Sequence, residues 1–184
     1  MEKKDYIKQE TIKILQSWGP IVLGPGTAVI ILLSLLDYLV TPENFSKFLI
    51  YRLITASLYA LLFIIHILNK QKANKNFYVA IYILAVVFVS IMVEMMILSF
   101  GGHQSPYYAG MIVIYMFSLG FLPFFSVRIT LALAALTYFI YLIPILIFDR
   151  ITNIQIFINN NIFLLATLSI GVLWRYYNDQ ILEK

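Results

Sequence analysis

Cysteine is absent from this 184-residue chain, which removes any disulfide framework and any thiol chemistry. Charge is scarce as well. Asp, Glu, Lys and Arg make up 12% of the residues, about half the usual share of a soluble domain, too little to cover a water-exposed surface. Eight scattered glycines exclude a collagen-like repeat, and an apolar content of 61% excludes disorder. Sequence signatures of catalysis are missing too: there is no HExxH, no glycine-rich phosphate loop and no GxSxG. Ser105, His103 and Glu94 could be forced into a hydrolytic triad. Ser105 precedes Pro106, however, and reads more simply as a helix N-cap with proline at the first helical position. The chain is therefore read as non-enzymatic, with no catalytic residue, metal or cofactor.

What the chain does have is long apolar runs and a mean hydropathy of +0.88. A hydrocarbon core of about 30 Å is crossed by roughly 20 apolar residues of helix. Six stretches meet that length: one within residues 20–40, then about Phe48 to Leu68, Phe77 to Phe100, Tyr107 to Phe125, Val127 to Phe148 and Ile156 to Trp174. Ile, Leu and Val run consecutively, without the period-two alternation of a membrane barrel. The fold class expected is all-α membrane, a six-transmembrane-helix bundle with an N-terminal amphipathic interfacial helix. Its parts are an interfacial helix over residues 1–18, the bundle over 19–174 and the start of a connecting helix over 175–184. In the first part, Ile7, Thr11, Ile14, Leu15 and Trp18 share a helical face. Gly19, Pro20, Gly24, Pro25 and Gly26 are expected to break the helix before the first span. Pro123 and Pro144 are candidate kink points.

Basic residues set the orientation. Lys3, Lys4, Lys8, Lys13, Lys70, Lys72, Lys75, Arg128, Arg175 and Lys184 gather on one side, against Lys47, Arg52 and Arg150 on the other. The positive-inside rule then places both termini in the cytoplasm and the GGHQS turn outside. The lysine-rich start lacks the small-residue cleavage site of a signal peptide. Scattered basic residues give no nucleic-acid patch, and the partner surface expected is membrane lipid.

Ionisable groups at membrane depth are costly, about 2.5–3.5 kcal/mol each even on permissive scales, so their placement carries information. Asp37 falls near the outer end of the first span and Arg52 near the outer start of the second. Glu94, 17 residues beyond Phe77, lies about 25 Å along its helix and so belongs to the outer third. His103, Tyr107 and Tyr108 follow at the outer turn, and Asn159, Asn160 and Asn161 open the sixth span at the same level. Asp37, Arg52, Glu94, His103, Tyr107, Tyr108 and Asn160 are the candidate ligand-binding set, with Arg52 the cation at that depth to balance Asp37 or Glu94. The opposing reading is an interfacial Asp37–Arg52 pair with the asparagines joining helices. His66, near the inner end of the second span, reads as an interfacial histidine. It lies at the opposite edge from His103, which excludes a haem bridged by the two.

The segment GGHQSPYYAGMIVIYMFSLGFLPF, with LLDYLVTPENFSKFLIYRLI before it, resembles the six-helix N-terminal membrane sensor region of bacterial histidine kinases. Its architecture is similar to that of quorum-sensing kinases and membrane-anchored nucleotide cyclases. The resemblance implies a receptor module in the bacterial inner membrane. Such a module binds a small molecule in an outward-facing cavity and signals through its last helix, as a homodimer in the full-length protein. The sequence ends at Lys184 without a kinase or cyclase region, and WRYYNDQILEK, with Leu173, Tyr177 and Ile181 at helical spacing, reads as the start of a connecting coiled coil. The competing reading is a substrate-binding membrane subunit of a vitamin transporter, another basic six-helix chain with an outward cavity.

Overall fold

The computed structural model describes residues 3–69, 74–118 and 125–182, with side chains described from residue 12 onward apart from 117, 181 and 182. Among these residues the chain is helical and forms no strand: α1 (Lys3–Leu32), α2 (Ser34–Val40), α3 (Phe45–Leu68), α4 (Lys75–Ser99), α5 (Tyr108–Ser118), α6 (Val127–Phe148) and α7 (Ile154–Leu182). Short 3-10 turns at Pro42–Asn44 and Gly102–Gln104 precede α3 and α5. Among the described residues, five stretches are long and apolar enough to cross a membrane: Ile12–Val40, Pro42–Leu68, Lys75–Ser99, Val127–Phe148 and Ile154–Gln180. Of the expected fourth span, α5 covers Tyr108–Ser118. Residues 119–124, with the candidate kink at Pro123, lie outside the described residues.

The surface is apolar. Leu39, Leu68, Phe148, Ile170 and Leu173 are largely exposed, whereas Thr55, Ser90, Thr130, Thr137 and Asn160 are buried. That distribution suits a chain whose solvent is hydrocarbon, where unpaired polar groups must find partners inside the protein. Hydroxyls do so within their own helices: Thr27 donates to the Leu23 carbonyl at 2.7 Å, Thr55 to Tyr51 at 2.9 Å and Thr167 to Phe163 at 2.9 Å. Tyrosines do so between helices.

Two compact units divide the chain, Met1–Phe88 and Val89–Lys184. In the first, α1 packs along α3. The Tyr82 hydroxyl donates to the Leu15 carbonyl at 2.8 Å, and Tyr59 donates to Ala85 at 2.9 Å. The break expected between Gly19 and Gly26 does not occur, nor does any helix end at residue 18. α1 runs unbroken through Pro20 and Pro25, and the interruption comes at Leu33 instead. Pro20 removes one backbone donor, the one that the Gln16 carbonyl would have used in the α-helical ladder. His66 replaces it: its Nε2 lies 3.3 Å from that carbonyl. Because a carbonyl only accepts, Nε2 is the donor. Gly19 makes room for the ring, and any Cβ there would overlap the imidazole. His66 is therefore fully buried, with its ring 5.1 Å from that of Tyr78, and not the interfacial histidine expected.

In the second unit α7 packs against α5 and α6. The Tyr115 hydroxyl donates to the Leu168 carbonyl at 3.1 Å, and Tyr138 donates to Asn161 Oδ1 at 3.0 Å. Ser126 caps α6 by accepting from the Ile129 amide. α6 continues through Pro144. The Asn153 side chain accepts from the Ile156 amide at 3.2 Å, so α7 begins at Ile154 and carries Asn160 and Asn161 in its second turn.

The Gly19–His66 contact has a measurable consequence. Gly19→Ala is expected to destabilise the protein by about 1–3 kcal/mol, the usual cost of overpacking. At Gly24 a Cβ would meet the Phe63 ring at an ordinary 3.6 Å, so Gly24→Ala should stay within about 1 kcal/mol of wild type. Thermal unfolding of both variants in one detergent checks the difference.

Candidate functional site

Within the first unit, Asp37 and Arg52 are brought together. The short helix α2 turns Asp37 inward until it has no exposed surface, and Arg52 on α3 retains 5%. The guanidinium grips the carboxylate with both prongs, Nε to Oδ2 at 2.5 Å and Nη2 to Oδ1 at 3.0 Å. Its Nη1 lies 3.5 Å from the Ile30 carbonyl in the last turn of α1, where helix carbonyls lack ladder partners. Arg52 thus joins α1, α2 and α3, in the bidentate geometry that makes charge-assisted hydrogen bonds strong. Of the two carboxylates considered for it, Asp37 is the one it holds.

Within the second unit, two loops are locked by His103. Gly101 and Gly102 have φ of +90° and +55°, a left-handed turn that favours glycine. A Cβ on Gly102 would overlap the Asp149 carboxylate, which reaches across from the end of α6. Asp149 Oδ2 accepts from the His103 amide at 2.6 Å and lies 2.7 Å from His103 Nδ1. His103 Nε2 accepts from the Asn153 amide at 3.1 Å, so the ring proton sits on Nδ1 and is donated to Asp149. Asn160 Nδ2 completes the clamp by donating to the His103 carbonyl at 2.9 Å. Partial burial pushes the Asp149 carboxyl up, but the hydrogen bonds from the His103 amide and ring, with one from the Arg150 amide, outweigh it and hold the group below its ordinary range. Both His103 nitrogens are engaged. Neither is left to activate Ser105, whose hydroxyl accepts from the Tyr107 amide at 3.3 Å.

Below this clamp, the buried Tyr141 hydroxyl on α6 gathers residues from four helices. Glu94 on α4, Tyr108 on α5 and Tyr138 on α6 act on it electrostatically, and the Asn160 side chain on α7 lies beside it without closing a hydrogen bond of standard geometry. Glu94, 3% exposed, accepts no hydrogen bond on either carboxylate oxygen from the described residues. Tyr107 stands aside, its ring edge-on to Phe100 at 6.0 Å.

Of the expected residues, then, Asp37 and Arg52 form one cluster, and Glu94, His103, Tyr108 and Asn160 belong to another. Sequence reading missed Asp149, Asn153 and Tyr141. Asp149 closes an apolar run and resembles any loop aspartate, and Tyr141 sits among the many tyrosines of the spans. A groove of about 470 Å³ also opens between α6 and α7, lined by Leu131, Ala134, Tyr138, Leu168 and other mainly apolar side chains. None of the expected residues lines it.

At the other end of α7, Arg175 is buried and donates through Nε to the Phe125 carbonyl at 2.5 Å, just before α6. It also pairs with Asp179 one turn on.

Two stability tests follow from these networks. Arg52→Met should cost about 3–5 kcal/mol by stranding a buried carboxylate, and adding Asp37→Leu should restore most of that loss, because an apolar replacement of both partners removes the stranded charge. Thermal unfolding of the single and double variants compares them. For Asp149, the lowered carboxyl means that its stabilisation is fully present above about pH 4, the ordinary unfolded value. It is lost as pH falls through the lower folded value. Asp149→Asn should therefore reduce thermal stability at pH 7, with the gap from wild type closing as pH drops below about 4.

Comparison with known proteins adds a family. No match is found among curated proteins or among solved structures. The MASE8 family model matches residues 35–181, which takes in both clusters and everything from α2 to the last turns of α7. With most of its length matched and its helices apolar enough to span a bilayer, the chain belongs to the MASE8 family and is a membrane-associated sensor domain of signalling proteins.

Proposed function

We propose that this chain is the input domain of a bacterial receptor of the histidine-kinase or nucleotide-cyclase type. In this reading it is a six-span bundle in the inner membrane, with its first turns at the lipid interface and both termini cytoplasmic. A small ligand is registered at the Glu94, Tyr108, Tyr141 and Asn160 cluster and the His103 clamp above it, and α7 carries the change to the output domain. The exposed face bearing Leu173 and Tyr177 continues into a dimer seam in the full-length receptor.

One observation supports this most. α7 is a single uninterrupted helix that holds Asn160 against the His103 loop and, fifteen positions later, Arg175 against Phe125. That is about 22 Å of rigid helix with a specific polar contact at either end. A ligand that favours one packing of the cluster shifts the position of Asn160 and with it the Arg175 end, which is how a two-state equilibrium is biased from a distance. The family supports a sensory role in general; the kinase or cyclase output is the finer step taken here.

The test uses a full-length receptor with its output domain and reads basal phosphorylation or nucleotide synthesis. Asn160→Ala and Arg175→Ala are each expected to change output several-fold while thermal unfolding shows a folded bundle, and Ile162→Ala, on the exposed side of α7, should leave it unchanged. Wild-type output from both folded variants would overturn the reading.

A further inference from the structure

His103 is the one histidine of the second unit, and four of its polar groups are engaged at once: the amide and Nδ1 with Asp149, the carbonyl with Asn160 and Nε2 with Asn153. Only the last of these depends on the ring being neutral. A backbone amide only donates, so the Asn153 amide, 3.1 Å from Nε2, needs a bare lone pair there. An imidazole that takes up a proton carries N–H on both nitrogens and accepts nothing. Nδ1 loses nothing by the change, because it already donates to Asp149 at 2.7 Å and the carboxylate becomes its counter-charge. At Nε2 two N–H groups would face each other, and with the residue 2% exposed, water reaches that nitrogen only if the contact opens. Asn153 is also where α7 starts: its side chain accepts from the Ile156 amide at 3.2 Å and its carbonyl from the Phe157 amide at 3.1 Å. The bond that protonation breaks is the one that ties the N-cap of α7 to the Gly102–Gln104 turn.

We propose that His103 is a proton-operated latch: neutral, it holds the start of α7 closed on the turn; protonated on Nε2, it stays with Asp149 and releases Asn153. The closed form belongs to the higher pH and is lost as the ring takes up its proton. Imidazole is the side chain whose charge changes between about pH 5 and 8, so the latch answers to ordinary changes in acidity. Its surroundings direct the change to one bond. From the loop after α6, Asp149 is the charged group against the ring, and the neighbouring Arg150 is exposed, with its amide bonded to that same carboxylate. From α7 and its cap come Asn153, Asn160 and, edge-on at 6.5 Å, Phe157, all uncharged. Glu94 on α4, Tyr108 on α5 and Tyr141 on α6 take neither of the ring's two hydrogen bonds, which go to Asp149 and Asn153. Two other contacts between the same segments are indifferent to the ring's charge: Gln104 Nε2 donates to Thr152 Oγ1 at 2.8 Å, and Asn160 donates to the His103 carbonyl. Protonation therefore loosens the clamp without dismantling it, which shifts a balance between two packings. That the loosening is passed on as a signal rests on the function proposed above. The loosening itself needs no output domain to be measured, so either proposal can fail while the other stands.

The experiment is NMR of the purified chain in neutral detergent, labelled with 15N at histidine and asparagine and followed from about pH 8 to about pH 5. The chain has two histidines, so the ring nitrogens of His103 are assigned by their loss in His103→Gln. In wild type they are expected to pass from the neutral to the imidazolium pattern, and the Asn153 amide resonance to shift with the same midpoint. His103→Gln, which takes up no proton in this range, should hold the Asn153 amide at one position throughout. The wild-type titration decides by itself if that variant does not fold. A His103 ring that stays neutral throughout, or one that titrates while the Asn153 amide stays in place, would overturn the latch. So would an Asn153 shift that persists in folded His103→Gln or vanishes in Glu94→Gln, since the proton would then sit on another group. In a full-length receptor, output is expected to change several-fold between an external pH of about 7.5 and one of about 5.5, and to lose that dependence in His103→Gln. Output indifferent to pH, beside an Asn153 amide that responds, would overturn the signalling role and leave the latch.

Discussion

In hydrocarbon, a polar group without a partner has no water to fall back on, and that constraint organises this chain from backbone to side chain. Much of the exposed surface is leucine, isoleucine and phenylalanine, while Asp37, Arg52, Glu94, His103, Asn160 and several threonines and tyrosines are buried. Pro20 shows the constraint at work on the backbone. It orphans the Gln16 carbonyl, and the fold answers by inserting His66 through the gap left by Gly19 instead of breaking the helix. In water the same Gly-Pro pair has an easier outcome, because the freed carbonyl hydrates and the helix ends.

The same rule separates the two kinds of polar cluster. Asp37 and Arg52 satisfy each other and the end of α1 in a closed network. The clamp of His103, Asp149, Asn153 and Asn160 is closed too, but its members come from two loops and a helix that continues for a further 22 residues beyond Asn160 to Leu182. Glu94 accepts no hydrogen bond from the described residues. A sensory domain needs stable packing that nonetheless has more than one arrangement of similar energy, and the function proposed above puts the ligand at the cluster beneath the clamp.

Particular residues show how far the sequence reached. The spans were legible because the length of an apolar run is set by bilayer thickness, and among the described residues five of the six expected stretches contain helices long enough to cross. Glu94, His103 and Asn160 stood out because polar groups are expensive in an apolar span, and the structure brings His103 and Asn160 into contact. Asp149 was not, since its partner lies 46 residues away and a loop aspartate is ordinary in composition. The Gly-Pro stretch of α1 was misread because local propensity counts a lost donor without knowing that a histidine on another helix takes over the carbonyl.

The amino-acid sequence by itself determined the solvent and the helical class, since both follow from hydrophobic length and residue type along one chain. Tertiary structure alone decided which polar group meets which: Arg52 with Asp37, His103 with Asp149 and Asn160, His66 with the backbone of α1. A helix presents its side chains all around its axis, and only the packing of its neighbours fixes which face becomes interior, so partnership across helices has no signature in a single sequence.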